Sequence, residues 1–111
     1  MNYLTHNQKD DINVMGTSLS GYVDTTYAAL KEMFGEPEEG DGYKVDAEWV
    51  LEFKDGTVVT IYNYKDGVNY LGAEEGIETQ NITDWHIGGG NNAEIKLLKS
   101  TGLKGTYRKA Y

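Results

Sequence analysis

The 111-residue chain contains no cysteine, which excludes disulfides, thiolate metal sites and a cysteine nucleophile. No apolar run approaches the roughly 18 residues of a membrane span, and the opening MNYLTHNQKDD lacks the apolar core of a secretory signal. A cytosolic protein is therefore expected. Proline occurs once, at Pro37, and histidine twice. Acidic residues are missing from the last seventeen positions, which carry Lys96, Lys99, Lys104, Arg108 and Lys109. All 18 acids lie at or before Glu94 beside only five lysines, a balance of −13 within a net charge of −8. Such an acidic body argues against a duplex-DNA binder, whose footprint is a broad basic face. The basic tail either stays solvated or folds onto its own body, or else lies on a second subunit or over an anion.

The length fits one domain, and its small core makes a homo-oligomer the expected state. Residues 1–11 are polar and aperiodic and predict a flexible N-terminus; residues 12–102 form the domain and 103–111 the basic tail. A short strand is expected at 12–15. DTTYAALKEMFGEP predicts a helix capped by Asp24 or Thr25, with Val23, Tyr27, Leu30 and Phe34 at helical spacing and a stop at Gly35 and Pro37.

VDAEWVLEF and TVVTIYNY, joined by KDG, predict a hairpin. A three-residue loop pairs Trp49 with Ile61 and Leu51 with Val59, gathering Ala47, Trp49, Leu51, Phe53, Val59 and Ile61 on one face. Tyr62 and Tyr64 then stand on the other. A second KDG at 65–67 suggests a turn into a strand at Val68 to Leu71, with GAEEGIETQ as a loop. ITDWHI reads as the last strand; with Trp85 in the core, Asp84 and His86 share the face of Tyr62 and Tyr64. NNAEIKLLKST predicts a second helix with Ile95 and Leu98 on its apolar side. The expected fold is α+β, a single antiparallel sheet of three to five strands around a meander, with two helices on one face.

Three glycines before that helix suggest close approach of a ligand. The first helical amides lack internal partners, so Gly88, Gly89 and Gly90, with Asn91 or Asn92 as N-cap, predict an anion site. Thr17, Ser18, Ser20, Gly21 and Tyr22 offer a similar approach to the first helix, and Arg108 a cation. Neither loop matches a phosphate-binding or dinucleotide fingerprint, and both also fit ordinary strand-to-helix connections. Tyr62, Tyr64 and His86 supply walls for a base, with Asp84 placed to orient His86. Nine tyrosines against two phenylalanines suit stacking and interfaces. No metal site or cofactor is expected, since neither histidine sits in a ligand spacing. The serines lack a nucleophile context, so the chain is expected to be no enzyme, the alternative being a His86/Asp84 hydrolase.

The ordered set TSLSGYVDTTY, FGEP, DGYKVDAEW, FKDGTVVTIYNYKDG and DWHIGG resembles small, functionally uncharacterised proteins of tailed bacteriophages, over about residues 16–90. The resemblance implies a phage origin and a host-cytoplasm location, and by analogy a counter-defence role. Two functions follow as expectations. One is a binder that sequesters a phosphorylated, nucleotide-like small molecule. The other is an acidic, nucleic-acid-mimicking inhibitor of a host defence nuclease or other nucleic-acid-binding protein.

Overall fold

A computed structural model describes residues 3–5, 18–40, 43–90 and 92–110. The strand expected at 12–15, and the site candidates Thr17 and Asn91, lie outside the described residues. The chain is an α+β fold with one antiparallel sheet. Its strands are β1 (Tyr3–Thr5), β2 (Ser18–Asp24), β3 (Glu48–Phe53), β4 (Val58–Tyr62), β5 (Asp84–Gly89) and β6 (Thr106–Lys109). Its helices are α1 (Tyr27–Phe34), α2 (Val68–Glu75) and α3 (Ala93–Thr101). The order across the sheet is β1-β3-β4-β5-β2-β6, so the meander β3-β4-β5 forms its centre. The two edge strands are additions that local sequence does not announce. Tyr3–Thr5, expected to be part of a flexible terminus, pairs with β3, and Thr106–Lys109, expected to be tail, pairs with β2. Neither segment is apolar enough to signal a strand; each gains its partner only from an edge supplied by distant residues.

The hairpin forms in the expected register. Phe53 N–H donates to Thr57 O at 2.9 Å, Gly56 adopts φ 89, and Trp49 pairs with Ile61 and Leu51 with Val59. The three-residue loop prevails because it puts Trp49, Leu51, Phe53, Val59 and Ile61 on one side, leaving Val50 and Val58 as the apolar residues of the other. Trp49, Leu51, Val59, Ile61, Trp85 and Ile87 are all fully buried there, and Leu30, Phe34, Ala93 and Leu97 bring α1 and α3 onto the same cluster. The two indoles also fix α1 in place. Trp85 Nε1 donates to Thr25 O before the helix, and Trp49 Nε1 to Gly35 O after it, at 3.1 and 2.7 Å. The N-cap is Thr26 rather than Asp24 or Thr25: its hydroxyl accepts from Ala29 N–H, while Asp24 belongs to β2 and Thr25 N–H bonds Thr83 O.

Val68 to Leu71 is helix, not strand. The four residues VNYL are too few to establish a period, and here Gly67 O accepts from the amides of Tyr70 and Leu71 while the Asp46 carboxylate takes Asn69 N–H. A kink at Gly72 (φ 88) divides α2. In α3 the expected apolar side is turned outward. Ile95 and Leu98 are 37% and 43% exposed, while Ala93, Glu94 and Leu97 are buried. The cause is the seating of Glu94, described below. Among the described residues no helix is long and apolar enough to cross a membrane.

Candidate functional site

The predicted ligand residues separate into two groups on opposite sides of the sheet. The first surrounds the start of α3. Ser18, Ser20, Gly90 and Asn92 line a cleft of about 380 Å³ together with Leu19, Glu94 and Lys109. The helix start is already satisfied from within. Ser20 Oγ accepts from Ala93 N–H at 3.0 Å and donates to Glu94 Oε1 at 2.6 Å, and Lys109 Nζ donates to Glu94 Oε2 at 3.2 Å. Asn92, at the N-cap position with φ 62, makes no side-chain cap bond; its Oδ1 accepts from Lys109 at 2.7 Å. The carboxylate of Glu94, 3% exposed, thus occupies the position where an anion would gain from the helix dipole. An incoming phosphate would meet that negative charge, so the cleft is a poor anion site.

The glycines accordingly serve packing. A Cβ on Gly21 would lie 2.5 Å from Arg108 O and 3.0 Å from Glu94 Cγ, so this glycine admits Glu94 rather than a ligand. A Cβ on Gly88 would lie 2.5 Å from Thr60 Oγ1, and one on Gly89 (φ 155) 2.8 Å from Ala93 Cβ. Within the glycine run, only Gly90 faces open space. Gly88 and Gly89 belong to β5 itself instead of a loop after it.

Burial alone would raise the Glu94 carboxyl, but bonds from Ser20, its own backbone and Lys109 outweigh it and hold the group below the ordinary glutamate value of 4.5. A carboxyl depressed in the folded state contributes stability above its unfolded pKa and loses it as pH falls through the folded one. Chemical denaturation is therefore expected to show stability falling below about pH 4.5, and Glu94→Gln should flatten that part of the profile. An unchanged acid limb in the variant would contradict the assignment.

The second group stands on the face away from α1 and α3. Arg108 pairs with Tyr22, Tyr22 with His86, and His86 with Tyr62, so one row crosses β6, β2, β5 and β4. Directly paired residues point to the same face. The imidazole of His86 lies 5.0 Å from the Tyr22 ring, 5.5 Å from Tyr62 and 5.7 Å from Tyr64. Arg108 covers the outer ring, its guanidinium carbon 4.5 Å from the Tyr22 centroid. Asp84 shares this neighbourhood but does not orient His86; its Oδ1 accepts from Arg108 Nη2 at 3.1 Å. Arg108 and Lys109 thus fold back on their own body, one of the fates open to the basic tail.

Burial lowers the pKa of His86, and Arg108 lowers it further, against opposing pulls from Asp84 and Asp66. The ring's Nδ1 is closed off and has no hydrogen-bond partner among the described residues. A proton there would be a buried donor without an acceptor, the costlier of the two unpaired states. The neutral tautomer with its hydrogen on Nε2 avoids that cost and leaves Nε2 as the ring's donor.

Asn63, fully buried just after β4, has no local signature that marks it in the sequence. Its Oδ1 accepts from Asp46 and Ala47 N–H at 2.7 and 3.1 Å, and its Nδ2 donates to Asp46 Oδ1 and Asp66 Oδ1 at 2.9 and 3.0 Å. It ties the segment before β3 to the turn after β4 and so sets where Tyr64 and Lys65 stand. Asp66 is raised above the ordinary aspartate value, by burial first and by Asp84, with the Asn63 bond opposing. No protein-family model matches the chain, and no curated protein matches it.

Proposed function

We propose that this is a non-enzymatic binding protein that holds a planar, nucleotide-like ligand on the sheet face around His86. The observation that carries the reading is the cluster of three tyrosine rings within 6 Å of one imidazole, flanked by Arg108. Tyrosine faces stack on bases, worth about 1–3 kcal/mol per base, and Nε2–H together with Arg108 supplies donors for the ligand's acceptors. Binding rather than catalysis is supported by the same ring. Its basic nitrogen, Nδ1, is the buried one, and Asp84 is engaged by Arg108, so neither member of a His86/Asp84 pair is placed to act as a general base. In this reading the protein works in the host cytoplasm and sequesters a signal of a host defence, the setting implied by its resemblance to small tailed-phage proteins.

Calorimetric titration with AMP, alongside the imidazole resonances of His86, tests this. Tyr22→Ala and His86→Ala are each expected to weaken AMP about tenfold, or about 1.4 kcal/mol, without loss of fold. Absence of AMP binding, or wild-type affinity in both variants, would refute the site. A second reading, the acidic inhibitor of a nucleic-acid-binding protein, is favoured by the exposure of Glu39, Glu74 and Glu75. Charge reversal at those three positions and at Glu38 would abolish docking under that reading and leave AMP affinity unchanged under the first.

A further inference from the structure

The aromatic surface does not end at Tyr64. Lys65 Nζ lies 5.3 Å from the Tyr64 ring centroid and 5.7 Å from that of Tyr70, and Tyr70 lies 5.0 Å from Tyr43. Rings and cations alternate: Arg108, then Tyr22, His86, Tyr62 and Tyr64, then Lys65, then Tyr70 and Tyr43. Such alternation is what a single strand of nucleic acid requires, with faces for bases and charges for the phosphates between them.

Lys65 is placed there at a cost. Its φ of 61 lies in the left-handed region, which L-residues other than Asn and Asp seldom enter, although its amide bond to Lys44 O at 2.8 Å would serve a glycine equally well. Strain of this kind gathers where a side chain is wanted for function. Lys96 and Arg108 also stand over rings, Phe53 and Tyr22, but each is at the same time paired with a carboxylate; Lys65 is held over two tyrosine rings at once.

We infer that Lys65, Tyr70 and Tyr43 form a second subsite, and that the ligand is a short single-stranded oligonucleotide whose phosphate meets Lys65 between two stacked bases. The inference rests on the His86 site as the first subsite. The net charge of −8 strengthens the choice, because a dinucleoside monophosphate brings two bases for a single negative charge. A nucleoside triphosphate would bring one base and several charges to a repelling body.

Titration of the intact protein with ApA and with AMP tests it, using Lys65→Gly, which removes the charge and relieves the backbone. The wild type is expected to bind ApA about tenfold more tightly than AMP. Lys65→Gly should unfold at a temperature equal to or above wild type, keep AMP affinity within about twofold and lose the ApA advantage. Tyr70→Ala should lose the same advantage. Equal affinity of the wild type for ApA and AMP would overturn the second subsite while leaving the first. Loss of AMP binding in Lys65→Gly would overturn it too, by making Lys65 a part of the His86 site. Binding of neither ligand would remove both readings.

Discussion

Gly89→Val is expected to destabilise the protein by about 3 kcal/mol or more, enough to unfold a large part of a small domain's population. From the sequence, a branched side chain here would be expected to obstruct a ligand and spare the core. The structure reverses that expectation. Position 89 is inside β5, with α3 packed directly above it: a Cβ would stand 2.8 Å from Ala93 Cβ and 3.0 Å from Val58 O. Both neighbours are anchored, one in the buried first turn of α3 and the other in the backbone of β4, so neither can withdraw cheaply. The φ of 155 adds strain for any L-residue. Gly90→Val is the control, because nothing stands within 4 Å of its Cβ, and a shift within about 0.5 kcal/mol is expected. Urea denaturation followed by tryptophan fluorescence separates the two, since both indoles lie in the core. A Gly89→Val protein with an unchanged midpoint would show that α3 does not seat against β5 as described.

Asn63→Leu should cost about 3 kcal/mol, although leucine has nearly the same size and greater hydrophobicity. The amides of Asp46 and Ala47 would lose their acceptor, and Ala47 is buried where no water replaces it. Each orphaned donor costs about 1–3 kcal/mol. Asp46 and Asp66 would also lose the amide group that holds them together. The functional consequence follows from position. The same amide fixes the turn carrying Tyr64 and Lys65, so AMP affinity should fall in whatever fraction remains folded, and backbone amide spectra should change most from residue 43 to 70. Wild-type stability in the Asn63→Leu variant would mean that the buried polar cluster contributes nothing net. Asn63→Asp keeps the acceptor but adds a third carboxylate beside Asp46 and Asp66, and should be worse at neutral pH than in mild acid.

Several features follow from the sequence by itself, because each depends on neighbours along the chain. The KDG loop and the segregation of the larger apolar residues around it determine the β3–β4 register, and Gly35 with Pro37 determine where α1 ends. The common face of Tyr62 and His86 follows once Trp85 is assigned to the core, since strand side chains alternate. The remaining features depend on contacts between distant residues. Ser20 and Glu94, 74 positions apart, satisfy the start of α3 and close the anion site that the glycines suggested. Arg108 turns to Asp84 and Tyr22 only because β6 adds to the sheet edge, and the first turn of α2 gains a distant acceptor for Asn69 N–H in the Asp46 carboxylate. A glycine run has the same local signature whether a ligand or another helix approaches it. Which of the two arrives is decided by long-range packing, and here α3 and the side chain of Thr60 fill the space.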